Sequence, residues 1–359
     1  MKETRIVELD GLRGVACLIV LTSHYFGEIP HGTRFLVFGW LGVDIFFVLS
    51  GFLIGSIILE HHTEPTFLKS FYLRRAARIV PVYALGCAVS LSLISLTHGL
   101  AWSDHPYSAG VYAVFGSNIA MSIWGGGGTW LLPTWTLAVE EQFYLLLPAL
   151  VIVTPTRLLA PVLIALWSSA AIFRAWIADD NPLAAFSLLP GRMDLLLAGV
   201  LIAIARRRLD LTPYVFALRA TPLLAIMMLL MLGLVFGSST VLFVILGPML
   251  ASVGIASFLL AIMLGAPEGR RYRSPVLRYL GQISYALYLV HQPISGLLHG
   301  ILLDRTPDIG TASQWAVTIL AVAVSIAVAA ASWRWLESPI LRWAKSSTSL
   351  PSAGTTAKI

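Results

Sequence analysis

The sequence predicts an all-α membrane protein, a polytopic bundle of about ten transmembrane helices with both termini cytoplasmic. Three observations carry that prediction. Of 359 residues, 57% are hydrophobic and only 12% are charged, with a mean hydropathy of +0.82; soluble domains carry roughly twice that charged fraction. Apolar segments long enough to cross a bilayer recur along the chain. The segments between them alternate between rich and poor in Lys and Arg, as an even number of crossings requires.

The spans are expected, in order, at 12–30, 39–60, 79–98, 136–154, 158–178, 192–206, 220–238, 241–264, 279–303 and 313–334. Lys2, Arg5 and Arg13 flank the first, and Lys69, Arg74, Arg75 and Arg78 follow the second. Arg157 follows the fourth, and Arg206, Arg207, Arg208 and Arg219 separate the sixth from the seventh. Arg270, Arg271, Arg273 and Arg278 separate the eighth from the ninth, and Arg334, Arg342, Lys345 and Lys358 close the chain. Of the 24 basic residues only Arg34, Arg174, Arg192 and Arg305 fall on the other side. The crowded side is the cytoplasmic one. Topology therefore accounts for the net charge of +6 without a nucleic-acid partner.

Between the third and fourth spans, 99–135 is expected to form a re-entrant or interfacial element on the outer side. Its 108–124 stretch is apolar but short, and Gly125–Gly128 is a run of glycines. Residues 1–345 read as one membrane domain, and the Ser/Thr/Pro/Ala-rich 346–359 as a disordered tail. Lys2-Glu3-Thr4-Arg5 leads into the first span with no small-residue cleavage pattern, so no removable signal is expected. Cys17 and Cys87 lie in apolar spans and read as small buried hydrophobes; neither a disulfide nor a metal site is expected. Ten helices with buried charges also suit a secondary transporter, but the sequence shows no inverted repeat.

Arg13 and His24 are the most informative pair. Eleven positions separate them, which at about 100° per residue returns a helix to nearly the same face. The rise over that span is roughly 16 Å, about half the hydrocarbon core. A cation thus sits at one membrane edge, with an imidazole on the same face well into the apolar layer. Either His24 only hydrogen-bonds inside the bundle, or it has a use there.

Further polar motifs follow in order: Gly42-Val43-Asp44-Ile45-Phe46-Phe47-Val48-Leu49-Ser50-Gly51, Arg74-Arg75-Ala76-Ala77-Arg78, Pro133-Thr134-Trp135-Thr136-Leu137-Ala138-Val139-Glu140-Glu141-Gln142-Phe143-Tyr144, Arg192-Met193-Asp194, Ser284-Tyr285-Ala286-Leu287-Tyr288-Leu289-Val290-His291 and Trp335-Leu336-Glu337-Ser338-Pro339. With Arg13-x10-His24, this series resembles the acyltransferase 3 family of membrane proteins, from the N-terminus to about residue 340. The resemblance implies an integral-membrane O-acyltransferase of the bacterial cytoplasmic (inner) membrane. It implies an acyl-coenzyme A donor, acetyl first among the acyl groups, and an acceptor hydroxyl on a glycan or lipid-linked sugar such as O-antigen, exopolysaccharide or peptidoglycan. Macrolide-like small molecules are the alternative acceptors. Some members carry a further hydrolase-like domain, which this chain is expected to lack.

Arg13, Arg75 and Arg78 are expected at one depth near the cytoplasmic edge, and Arg75 and Arg78 share a helix face. They either anchor lipid headgroups or dock the phosphates of the donor, since guanidinium groups suit bidentate phosphate contacts. A pantetheine arm is about as long as the Arg13-to-His24 rise, so phosphates held at Arg13 would bring the thioester near His24. His24 is then the candidate general base, because a neutral imidazole can take the acceptor's proton near neutral pH. Glu140 and Tyr144 share a face of the fourth span, and Glu140 is the second candidate catalytic residue. Asp44, Ser50, Trp135, Tyr144, Arg192 and His291 are candidate substrate-binding residues. Asp44 must find a partner inside the bundle, Arg192 either binds acceptor or pairs, and Trp135 is either an aromatic-belt residue or a sugar platform.

Overall fold

The computed structural model describes residues 6–33, 36, 38–236 and 241–348. Among them there is no strand, and ten long helices form the expected bundle. They begin with α1 (Val7–Phe26), α2 (Gly39–His61) and α3 (Phe67–Leu96). Two short helices follow, α4 (Ala109–Ala113) and α5 (Ser117–Trp124), before the long α6 (Thr134–Val153) and α7 (Leu159–Ile177). A short α8 (Pro182–Ser187) precedes α9 (Leu189–Arg208), α10 (Val215–Phe236), α11 (Val241–Met263), α12 (Pro275–Leu303) and α13 (Ala312–Ser332); a π-helical turn at Trp333–Glu337 then leads into α14 (Ser338–Ser346). Among the described residues nine helices are long and apolar enough to cross a membrane. Helix α1 falls outside that group; it is 20 residues long and carries Glu8, Asp10 and Arg13 in its first two turns.

Helix starts are the main departure from expectation. Helix α3 runs for 30 residues, roughly 45 Å, and takes in the basic run Lys69–Arg78 rather than leaving it in a loop. Charged side chains break an apolar run without breaking a helix, since Lys and Arg are good helix formers. The 99–135 stretch holds α4 and α5, with α5 against α6 and α8. Its return is closed by Asp104, whose carboxylate accepts the backbone N–H groups of Thr129 and Trp130, both at 2.8 Å. Helix α14 covers 338–346, so the expected disordered tail begins in helix; residues 349–359 lie outside the described residues, as do Lys2, Arg5, Arg34 and Lys358.

Glycines set the two closest helix contacts. Helix α1 packs most extensively on α12, and α2 on α9. A Cβ on Gly14 would meet the Leu277 carbonyl, and one on Gly281 would meet the Asp10 carbonyl. A Cβ on Gly51 would meet the Leu196 backbone. Such backbone approach is how helices gain contact where lipid supplies no hydrophobic drive. Helices α1 and α12 run the same way, since Asp10 and Gly14 meet Gly281 while His24 meets His291. Gly14 precedes His24 by as many residues as Gly281 precedes His291. At the basic end, Arg273–Glu8 (2.6 Å), Arg207–Glu60 (3.2 Å) and Arg219–Glu268 (2.5 Å) tie neighbouring segments together.

Candidate active site

The expected site residues separate into three groups. The first lines a cavity of about 990 Å³ that reaches the basic end of the bundle. Arg13 comes from α1, Ser50 from α2, Arg75 and Arg78 from α3, and Glu140 and Tyr144 from α6. The Ser50 and Tyr144 hydroxyls are hydrogen-bonded to each other. Glu140 lies against both hydroxyls and within coulombic reach of Arg13 and Arg75. The Arg75 guanidinium sits 5.9 Å from the centre of the Tyr144 ring. Glu337 accepts from Ser332 at 3.1 Å and lies within coulombic reach of Arg78 and Arg13. Three arginines converging on one cavity can hold a polyanion, and the carboxylates around them hold their heads in place.

The second group sits past the far wall of that cavity. His24 and His291 lie edge to edge, with His24 Nδ1 2.7 Å from His291 Nε2 and the two rings parallel to within 2°. His291 Nδ1 is 2.7 Å from the Tyr288 carbonyl. A carbonyl can only accept, so His291 donates from Nδ1 and, when neutral, presents a lone pair at Nε2. His24 must then donate from Nδ1 and keep its own lone pair on Nε2. That atom lies 3.6 Å from a Glu28 carboxylate oxygen, and the other Glu28 oxygen accepts from Ser23 at 2.6 Å. The Tyr25 hydroxyl donates to the His291 carbonyl at 3.0 Å, fixing this turn of α12 just before Pro293 interrupts its ladder. His24 is thus an oriented imidazole with one lone pair free and a carboxylate beside it. His291, expected among the substrate-binding residues, is hydrogen-bonded to His24. No hydrogen bond or ion pair joins Glu140 to His24 among the described residues, so the two expected catalytic residues belong to different groups.

Tyr288 divides the two. Its ring lines the cavity, packs edge-on to Phe46 at 6.1 Å and lies 5.9 Å from His291, and its hydroxyl accepts from Thr136 at 3.0 Å. Sequence reasoning missed Tyr288, although it stands three residues before His291 and so on the same helix face. It also missed Glu28, which lies one turn beyond His24 and beyond the quoted motifs.

The third group is a buried ionic cluster away from the cavity. Asp44, fully buried, finds the partner it was expected to need in Arg192 at 3.5 Å, but its Oδ2 is left without one. Arg192 also donates to the Phe186 carbonyl at 2.8 Å and lies 4.3 Å from the Phe186 ring centre. Asp194 pairs with Arg174 at 2.7 Å, not with the nearby Arg192. Trp135 is only 7% exposed, wedged between Phe47 and Phe186 and 5.7 Å from Arg192. It therefore sits inside the bundle, neither in a belt nor on an open platform. Burial of two complete ion pairs reads first as architecture, since removing one partner would strand a charge in the bundle.

A family model described as an acyltransferase domain matches residues 6–334. The chain is 28% identical to the peptidoglycan O-acetyltransferase OatA of Listeria monocytogenes, over 93% of this chain and 56% of that protein. It is 29% identical to YrhL of Bacillus subtilis, over 92% of this chain and 54% of that protein. A Staphylococcus aureus (strain COL) relative is 26% identical over 92% of this chain and 56% of its own length. The chain thus spans about half the length of the curated relatives it matches. No solved structure matches it. With a family model matching residues 6–334, nearly the whole bundle, the chain belongs to the acyltransferase 3 family of membrane proteins.

Proposed function

We propose that the chain is an integral-membrane O-acetyltransferase that draws acetyl-coenzyme A from the cytosol and esterifies a hydroxyl of a cell-surface glycan. The positive-inside rule puts the basic end, and with it the cavity mouth, in the cytosol. In this reading Arg13, Arg75 and Arg78 bind the donor's phosphates, and the pantetheine arm runs along α1 toward His24. Peptidoglycan-type sugars come first among acceptors, because that is the substrate in the printed name of OatA; lipid-linked sugars and other surface polysaccharides share the same alcohol chemistry.

His24 Nε2 takes the proton of the acceptor hydroxyl as its oxygen attacks the thioester carbonyl. The C–O bond forms, the C–S bond breaks, and the leaving thiolate recovers the proton from the His24 imidazolium. Glu28 stabilises that imidazolium, and His291 holds the ring so that Nε2 faces the reaction. The reading requires the Tyr288–Phe46 partition to part when donor binds, because it closes the cavity short of His24. The observation that carries the proposal is the oriented His24–His291 pair one partition away from an arginine-lined cavity. Incubating purified protein in nanodiscs with acetyl-labelled coenzyme A and soluble glycan fragments tests it. Labelled ester on the glycan is expected; hydrolysis and transfer both at background would refute it.

A further inference from the structure

The cavity carries a second cationic position that the mechanism has not used. Arg206, in the last turn of α9, lines the same cavity as Arg13, Arg75 and Arg78. It lies closer to the basic end than they do. Arg206 is two residues from the end of α9, a rise of roughly 3 Å. Arg75 is eight residues into α3 and Arg13 six into α1, rises of roughly 12 and 9 Å.

Carboxylates lie within coulombic reach of the inner arginines: Asp10 and Glu140 of Arg13, Glu141 and Glu140 of Arg75, and Glu337 of Arg78. The neighbours of Arg206 are occupied as well, Arg207 with Glu60 and Arg208 with the Thr156 carbonyl. Arg206 differs from all of them. Its one hydrogen bond is to the Met263 sulfur at 3.8 Å, a weak acceptor, and among the described residues the charged group that acts on it is another cation, Arg207, with no carboxylate in reach. It is a half-sheltered cation on a cavity wall, facing a space and no anion.

We propose that Arg206 is the specificity residue for a phosphate monoester at the outer end of the donor, the ribose 3′-phosphate of an acyl-coenzyme A. The inference rests on the acyl-coenzyme A reading above and deepens it. If the thioester points to His24 and the diphosphate meets the inner arginines, the anion left nearest the mouth is the one on the ribose. A monoester dianion gathers its charge on one phosphorus and matches a guanidinium with no anion beside it, whereas the diphosphate spreads one charge over each phosphorus and suits arginines that already have carboxylates nearby.

The test uses the full chain in nanodiscs of phosphatidylcholine alone, so that no anionic lipid competes. Affinities for coenzyme A and for 3′-dephospho-coenzyme A are measured by calorimetry on wild type, Arg206→Gln and Arg206→Lys. Wild type should prefer coenzyme A by ~10-fold or more, the value of one charge-assisted contact. Arg206→Gln should bind both compounds about equally while still binding dephospho-coenzyme A as wild type does, and Arg206→Lys should keep part of the preference. An unchanged preference in Arg206→Gln would overturn the proposal and assign the side chain to phospholipid headgroups. If wild type binds neither compound, the acyl-coenzyme A reading itself fails.

Discussion

Replacing His24 with glutamine removes the proposed base and little else. The glutamine amide can still donate to His291 Nε2, in place of the 2.7 Å bond from His24 Nδ1. What disappears is the lone pair on Nε2. Exchanging one neutral hydrogen bond for another changes stability by no more than ~0.5–1.5 kcal/mol. General-base catalysis contributes ~10²–10⁴-fold, which is ~2.7–5.4 kcal/mol of barrier. Single-turnover transfer from acetyl-coenzyme A should therefore fall at least ~100-fold, with donor affinity and melting temperature near wild type. His291→Gln should cost less, ~10-fold, because it loosens the ring without removing the base. Wild-type turnover should rise with pH and then level off, since an imidazolium cannot accept the acceptor's proton. Near-normal turnover in His24→Gln would refute the assignment and make His291 the first residue to test as base.

Arg75→Ala and Arg78→Ala should each weaken coenzyme A binding by about tenfold or more and leave the fold intact, measured by calorimetry; unchanged affinity in both would make them lipid anchors. Single cysteines at Glu64, between α2 and α3, and at Arg270 should react with impermeant thiol reagents only from the cytosolic side, because the built-in Cys17 and Cys87 are buried. Labelling of Glu64→Cys from outside would invert the donor route. Arg174→Ala should destabilise the bundle by ~3–5 kcal/mol, read as loss of folded protein on heating in detergent, because it strands buried Asp194; a variant as stable as wild type would show the cluster to be dispensable architecture.

The sequence exposed what lies within one helix and hid what lies between helices. Ten apolar runs correspond to ten long helices among the described residues, but α1 and α3 begin well before their runs, at Val7 and Phe67, because charged turns stay helical. Arg75 with Arg78, and Glu140 with Tyr144, shared a face as their spacing required and line one cavity. The His24–His291 contact joins residues 267 positions apart, and no local pattern encodes it. The same holds for ion pairing. Arg192 stands beside Asp194 in the chain, yet bundle geometry gives Asp194 to Arg174 and sends Arg192 to Asp44.

Parallel packing of α1 on α12 also dictates when the site can exist. Among the long helices of the described residues, the first, α1, carries the proposed base, and the ninth, α12, which is made later, carries its hydrogen-bond partner. Until α12 inserts, Gly14 faces no Gly281, and His24 has neither its partner nor a settled tautomer. A chain truncated anywhere before α12 could therefore be inserted and donor-binding yet chemically silent. Nascent chains would then be spared from discharging thioesters to water while the membrane domain is still being built.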